Sequence, residues 1–162
     1  MCSSNQEITL PELILQLEMA EDTYEATLFE SFRKDFPSDE LFIGKHRIGI
    51  EAKPWTNGRH RTFWHLISEG EDELTRKVVP CRCERIRWPK YMIQYAPRFK
   101  SWRNERGGRR NLLIALEDFS YVVVLAERRG HFFLWSAYCV EFRSRRAAMK
   151  KEHDAYQAKR VG

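Results

Sequence analysis

The sequence of 162 residues predicts an α+β fold, with N-terminal helices followed by a twisted antiparallel β-sheet on which a basic helix and a C-terminal helix pack. Two observations predict it. Apolar residues recur at helical spacing in separate blocks near the start, the middle and the end of the chain. Three strand-like runs then follow one another between residues 111 and 142, separated by tight turns, which favours an antiparallel meander. We expect a single domain, 1–162, with an acidic helical part at 1–40 and a sheet-bearing basic core at 41–162.

Two helices are expected near the start. Thr9 is a candidate N-cap, with Glu12 three residues later, and predicts a short first helix. Asp22 is expected to cap a second helix, which ends at Pro37. The apolar residues of that second helix recur at helical spacing and are expected to be core: Tyr24, Leu28, Phe29, Phe32 and Phe36.

Two strands and a basic helix are expected next. Residues 43–51 alternate as a strand, and residues 61–67, Arg-Thr-Phe-Trp-His-Leu-Ile, are interpreted as a second strand that carries His65. Residues 80–95 are interpreted as a helix with a bend at Pro89.

The remaining third of the chain is expected to hold a loop, the meander and a helix. Residues 98–110 are polar and basic around a Gly-Gly pair, which is typical of an exposed mobile loop. The meander strands are 111–116, 121–127 and 131–142, and a basic helix at 144–159 closes the chain.

The formal net charge of +5 hides an uneven distribution. Residues 1–40 contain ten acidic and two basic side chains, whereas residues 59–110 contain fourteen basic and six acidic side chains. This asymmetry favours an anionic partner for the middle of the chain, and nucleic acid is the first candidate. The alternative is that the acidic and basic parts neutralise each other across the domain surface.

The cysteines and the N-terminus predict a cytoplasmic protein with reduced thiols. The start lacks a basic and an apolar signal region, and no apolar stretch is long enough to cross a bilayer, so no membrane partner is expected. Neither the Cys-x-Cys spacing nor the scattered histidines suit zinc, and we expect no metal or cofactor. The four cysteines are Cys2, Cys81, Cys83 and Cys139.

His65 is the residue that most suggests chemistry. A field of lysine and arginine side chains follows it within about two dozen residues. An imidazole in such a setting suits proton transfer at a phosphodiester whose charge is held by fixed cations. The alternative is a buried histidine beside an unrelated basic surface.

Four passages, in their order along the chain, resemble one family. They are residues 63–68 (Phe-Trp-His-Leu-Ile-Ser), 82–88, 121–125 and 134–140. This arrangement is similar to the barnase/EndoU/colicin/RelE-like (BECR-fold) nucleases, small RNA-cleaving toxins, in a phage or prophage form. The resemblance covers roughly residues 22–160 and implies a His-bearing strand, a basic helix after it and a last core strand. Cys139 departs from the pattern, because the family has a proline there.

The candidate residues are assigned roles in metal-independent RNA cleavage, in which the 2′-hydroxyl attacks the phosphodiester. His65 is the base or acid, Arg82 and Arg85 share a helix face that holds the phosphate, and Ser136 and Tyr138 point the same way from a strand. For these arginines the alternative is a solvated helix face, and for Ser136 and Tyr138 a rim hydroxyl and a half-buried aromatic. RNA-binding candidates are Arg76, Lys53, Arg61, Arg109 and Arg110.

The sequence therefore predicts an RNA endonuclease, a toxin or phage effector acting on tRNA or rRNA, with a cognate antitoxin or immunity protein as a second partner. The alternatives are an RNA-binding module that has lost its chemistry and a module that docks an acidic protein. His46 and His60 are substitute acids, and His131 and His153 are expected to be exposed. Stacking on bases is considered for Trp55, Trp88 and Trp102, and packing is favoured for Trp64, Trp88 and Trp135.

Overall fold

A computed structural model describes residues 7–36 and 41–161, and within these ranges the fold is α+β, as predicted. The helices are α1 (Glu21–Asp35), α2 (Arg61–Ile67), α3 (Pro80–Glu84), α4 (Trp88–Gln94) and α5 (Arg143–Val161), and a 3₁₀ turn (Ala96–Arg98) follows α4. The strands are β1 (Phe42–Ile43), β2 (His46–Gly49), β3 (Ser68–Glu69), β4 (Lys77–Val78), β5 (Lys100–Arg106), β6 (Arg109–Ala115), β7 (Tyr121–Arg128) and β8 (His131–Cys139).

The main sheet has six strands in the order β1-β2-β8-β7-β6-β5, and β3 pairs with β4 separately. The predicted antiparallel meander is confirmed for β6, β7 and β8. The sheet is nevertheless mixed, because β2 runs parallel to β8. On β8, β2 pairs with Phe132 and Phe133 alone, so the second half of β8 has no strand neighbour on that side within the described ranges.

Helices cover both faces of the sheet. Residues of α1 to α4 bury one face, where Leu28, Phe63 and Met92 pack against the strands. On the other face Met149 of α5 packs with Trp102, and Glu152 accepts hydrogen bonds from Trp102 Nε1 at 2.6 Å and from β5 residue Asn104 at 2.7 Å. The predicted C-terminal helix is therefore confirmed, and it is held to the sheet by both apolar and polar contacts.

Helix α2 replaces the predicted strand at 61–67. Phe63, Leu66 and Ile67 are almost fully buried, and their spacing of three and four residues places them on one helix face. The aromatic and branched residues of this run also suit a strand, and seven residues are too few for the apolar period to separate the two. His65 thus lies on a helix.

Strand β5 replaces the predicted loop at 98–110. It pairs with β6 over its whole length, and Gly107 and Gly108 form the turn with positive φ angles. Trp102 is fully buried, which excludes the suggestion that it stacks on bases. Only one face of β5 meets the core, and the exposed side of this hairpin carries polar residues. The sequence pattern that predicts a strand is therefore weak here.

The expected helix at Thr9 is also wrong. The segment is irregular because its backbone groups find partners outside it: Ile14 N donates to Glu84 O at 2.9 Å, and Trp88 Nε1 donates to Pro11 O at 2.9 Å. The second helix is confirmed as α1, which begins after Ala20 rather than at Asp22. Its predicted stop at Pro37 lies outside the described residues.

Two other elements are divided. The strand expected at 43–51 is the β1–β2 hairpin, which turns at Gly44 with a φ of +57°. The helix expected at 80–95 is interrupted between α3 and α4, and Pro89 lies in the first turn of α4, where a missing N–H costs nothing.

The cysteine prediction is wrong for one pair. Cys81 and Cys139 form a disulfide, with their Cα atoms 6.5 Å apart and a sequence separation of 58. Cys83 is a free, buried thiol, as expected, and Cys2 lies outside the described residues. The pairing could not be predicted from the sequence because it depends on the start of α3 lying beside the end of β8.

Candidate nucleic-acid interface

A cavity of about 580 Å³ opens beside the second half of β8, and we call it the arginine cavity. Its basic lining residues are Arg82, Arg106, Arg109 and Arg145. Its acidic ones are Glu69 and Glu141, and Trp135, Ser136 and Tyr138 also line it. Arginines from α3, the β5–β6 hairpin and the start of α5 therefore meet at one place, where they outnumber the carboxylates two to one.

A β-bulge sets the position of Trp135. In the register between β7 and β8, Val124 pairs with Ser136 and Leu125 pairs with Leu134, so Trp135 is the extra residue. Bulges reorient side chains locally and are common beside functional sites. The guanidinium of Arg109 lies 4.3 Å from the Trp135 ring centroid, which is within cation–π range.

Arg82 is held rigidly in the wall of the cavity. Its side chain is 11% exposed, and its Nη1 donates to the Ser68 carbonyl at 2.6 Å. Its guanidinium lies 3.7 Å from Glu69 and 5.6 Å from the ring centroid of Tyr138. Burial lowers the pKa of Arg82, Glu69 opposes this shift, and nearby Arg76 adds to it.

Two arginines of the cavity lack a carboxylate partner. Neither Arg109 nor Arg145 forms an ion pair within the parts of the chain that the structure describes. Arg109 is held by a neutral partner instead, since its Nε donates to Asn111 Oδ1 at 2.8 Å. Burial lowers the pKa of Arg109, and the positive charge of Arg128 lowers it further. A bound anion would relieve both effects.

Ser136 and Tyr138 share the cavity side of β8, as predicted. Ala137 is fully buried in the opposite face and Cys139 packs against the same core, as the two-residue period requires. Cys139, at the end of the strand, also reaches the cavity wall.

His65 is not one of the residues that line the cavity. Its imidazole is 7% exposed, its Nε2 is 2.7 Å from Glu73 Oε1, and its ring meets Trp135 edge-on with centroids 5.4 Å apart. Burial lowers the pKa of His65, although the hydrogen bond to Glu73 opposes this shift. Arg61 also binds Glu73, at 3.3 Å, and does not line the cavity either. The catalytic role of His65 stays a prediction.

The other predicted residues are dispersed. Arg85 lines an adjoining smaller cavity, and Arg76 binds Ser68 Oγ at 2.9 Å and Gly70 O at 2.6 Å, which braces the β3–β4 turn. Lys53 and Arg110 are exposed but are not part of the lining.

The remaining histidines and Trp55 lie away from the arginine cavity. His60 contacts Trp55, with ring centroids 4.4 Å apart, and His46 packs on Phe132. His131 is exposed as expected, whereas His153 is 8% exposed and packs against Trp102, so the expectation for His153 is wrong.

Sequence reasoning missed several lining residues. They are Glu69, Arg106, Asn111, Glu141 and Arg145, and Trp135 was assigned to packing alone. One signal was present for Arg145: the run Arg143-Ser-Arg-Arg146 places three cations in the first turn of α5, where the helix dipole disfavours positive charge. Such a cluster suggests selection for an anion rather than for stability.

Comparison with protein-family models, with curated proteins and with solved structures found no match to this chain. The BECR-fold resemblance therefore stays a prediction, and its His-bearing strand is the helix α2. Within the described ranges, no group of three or more His, Cys, Asp or Glu side chains is placed to hold a metal ion. No helix there is long and apolar enough to span a membrane.

Proposed function

We propose that the arginine cavity binds an RNA phosphodiester and that the protein is a metal-independent RNA endonuclease. The observation that carries the proposal is the convergence of Arg109 and Arg145, which form no ion pair with any described residue, and the hydroxyls of Ser136 and Tyr138 in one open cavity. Guanidinium groups fork onto phosphate oxygens, and hydroxyls bind phosphate or ribose. The basic middle of the sequence supports an anionic partner of this kind.

Cleavage by the 2′-hydroxyl needs cations, a base and an acid, and for each of these the proposal uses a residue of the cavity lining. Arg82 and Arg109 would stabilise the charge that develops on the phosphorane oxygens. Glu69 or Glu141 would accept the proton of the 2′-hydroxyl, and the Tyr138 hydroxyl would give its proton to the leaving 5′-oxygen and regain one from water. In this proposal His65 is a positioning residue, because its ring packs edge-on against Trp135.

A second candidate is RNA binding without cleavage. The observation that favours it is the burial of His65, the strongest titratable candidate of the sequence, in a hydrogen bond with Glu73 outside the cavity. Under this candidate the same arginines bind the same phosphate, and no proton is transferred.

The two candidates differ in an RNA cleavage assay in EDTA. We expect the wild-type protein to cut single-stranded RNA to 2′,3′-cyclic phosphate ends and to leave the all-deoxy oligonucleotide intact. Tyr138→Phe keeps the ring that contacts Arg82 but removes the hydroxyl, and we expect cleavage to slow by about a hundredfold or more. Tyr156→Phe is the matched control, since Tyr156 lies on α5 outside the lining.

The outcomes of the binding and cleavage assays distinguish the two candidate functions. Binding without cleavage by the wild-type protein would favour the second candidate and contradict the first. Absence of both binding and cleavage would overturn the two candidates together. Equal rates for Tyr138→Phe and the wild-type protein would remove Tyr138 from the proposed chemistry.

A further inference from the structure

A second cavity of about 190 Å³ adjoins the arginine cavity, and we call it the Arg85 cavity. Its lining includes Arg85, Arg146 and the aromatic ring of Trp88. The two cavities share Cys139, Val140 and Glu141, so they lie side by side at the end of β8. The disulfide of Cys139 with Cys81 forms part of the wall between them.

The same two elements supply arginines to both cavities. Helix α3 directs Arg82 into the arginine cavity, and Arg85, its C-cap residue three positions later, lines the Arg85 cavity. The first turn of α5 contributes Arg145 to the first cavity and Arg146 to the second. Each cavity thus receives one arginine from each element, and a chain of repeating anions would meet the same pair of groups twice.

Neutral carbonyl groups hold the two arginines of the Arg85 cavity. Arg146 Nε donates to Val140 O at 2.6 Å, and Arg85 Nη1 donates to Cys81 O at 3.1 Å. The guanidinium of Arg85 also lies 4.9 Å from the Trp88 ring centroid. These contacts fix the positions of the guanidinium groups without neutralising them, which suits a binding site for an anion.

Three carboxylates lie near these arginines. Glu84 contacts Arg85 at 3.4 Å in a partly exposed pair, and Glu141 lines both cavities. Asp118 accepts a hydrogen bond from Ser120 N at 3.0 Å. Hydrogen bonds from Ser120 lower the pKa of Asp118, burial opposes this shift, and the positive charge of Arg146 lowers the pKa further. A partly exposed ion pair is weak, so Glu84 leaves Arg85 able to bind a phosphate.

We propose that the Arg85 cavity is a second phosphate subsite, which holds the phosphodiester next to the one in the arginine cavity. This inference rests on the proposed function, and it makes the ligand an RNA segment with at least two consecutive phosphates. Arg85 and Arg146 bind the second phosphate, and Trp88 offers an aromatic surface beside it. The sequence predicted that Arg85 binds the reacting phosphate. In this proposal Arg85 binds the adjacent phosphate instead.

The test compares two RNA ligands by calorimetry or by fluorescence anisotropy. One is a dinucleotide with a single internal phosphate, and the other is a hexanucleotide. We expect Arg85→Gln/Arg146→Gln to weaken hexanucleotide binding by about tenfold and dinucleotide binding by less than about twofold. The salt dependence of hexanucleotide binding should also become shallower, by about 0.7 in the log–log slope for each phosphate that the variant no longer neutralises.

Matched controls lie beside the mutated residues. Arg87→Gln/Arg143→Gln removes two charges from exposed neighbours that line neither cavity, and we expect its hexanucleotide affinity to stay close to wild type. If Arg85→Gln impairs folding, the single variant Arg146→Gln carries the test, with an expected weakening of about threefold.

The failure of the subsite is distinct from the failure of the proposed function. If Arg109→Gln weakens both ligands but Arg85→Gln/Arg146→Gln weakens neither, the arginine cavity binds RNA and the subsite is wrong. If the double variant weakens the dinucleotide as much as the hexanucleotide, Arg85 and Arg146 do not form a separate subsite. If the wild-type protein binds neither ligand, the proposed function itself fails.

Discussion

Trp135 connects the sequence's most suggestive residue to the cavity that carries the proposed function. The β-bulge leaves Trp135 without a strand partner, His65 contacts its ring edge-on, and Arg109 lies over it in the cavity. His65 therefore influences the cavity through packing. This arrangement explains how a histidine close to a basic site in sequence can lie one layer away from it in space.

The first prediction concerns the protonation of His65. Burial lowers its pKa, so the folded protein prefers the neutral imidazole while the unfolded chain protonates near pH 6.5. The stability that neutral His65 provides is complete above that pH and is lost as the pH falls below it. We expect the free energy of unfolding to fall less steeply between about pH 7 and pH 5 in His65→Gln than in the wild-type protein.

His65→Gln should also lose about 1 kcal/mol of stability at neutral pH, because its edge-on contact with Trp135 disappears. Denaturant unfolding at several pH values measures both effects. His60→Gln is the control for the contact with Trp135. Burial lowers the pKa of His60 as well, but His60 contacts Trp55 instead of Trp135. A stability difference between the wild-type protein and His65→Gln that grows as the pH falls would contradict this prediction, because it would show that Glu73 keeps His65 charged.

Individual cavity residues could be predicted only where a short-range rule applies. Ser136 and Tyr138 share a side of β8 because of the strand period, and Arg82 follows from its position on a basic helix. Arg106 and Arg145 come from a hairpin and a helix that meet through tertiary packing alone. No periodicity in the sequence encodes that meeting.

Helix α2 and strand β5 show where element prediction fails. A short buried helix such as α2 and a buried strand are both rich in aromatic and branched residues. Packing against α1 and the sheet therefore determines the conformation of the seven residues of α2. β5 carries its strand signal on one face only, and Ser101, Arg103 and Glu105 on its other face give it the polar composition of a loop. The meander, α1 and α5 were predictable because each carries a long, uninterrupted pattern.

The second prediction concerns the disulfide that ties α3 to β8. It closes a loop of 58 residues, for which the chain-entropy model gives up to about 4 kcal/mol of stabilisation. We expect Cys139→Ser to lower the free energy of unfolding of the oxidised protein by a large part of that amount. Denaturant unfolding with and without reductant measures the effect.

Cys81→Ser/Cys139→Ser is the control, because its stability should not respond to reductant. Peptide mapping of the oxidised protein supplies an independent observation. Free thiols at both positions under oxidising conditions would contradict the disulfide, as would a wild-type protein whose unfolding reductant leaves unchanged.

Across the whole molecule, the acidic and basic parts of the chain face different cavities. Glu21 and Glu25 of α1 line a separate cavity together with Glu84, whereas the lining of the arginine cavity includes no residue of the described segment 7–36. Glu25 does pair with Arg59, at 3.1 Å, so some of the opposite charges neutralise each other locally. The described part of the acidic segment therefore leaves the arginine cavity open to an anionic partner.

The central claim is that the arginine cavity binds RNA, and the affinity for a labelled single-stranded RNA over a range of salt concentrations tests it most directly. We expect Arg109→Gln/Arg145→Gln to weaken binding by roughly a hundredfold, since each charge-assisted hydrogen bond contributes about 1.5–3 kcal/mol. The control Arg33→Gln/Lys34→Gln removes two charges from exposed positions on α1 and should leave the affinity nearly unchanged. Equal reductions in affinity for the two double variants would show that the RNA affinity depends only on the net charge of the protein, and would contradict the claim.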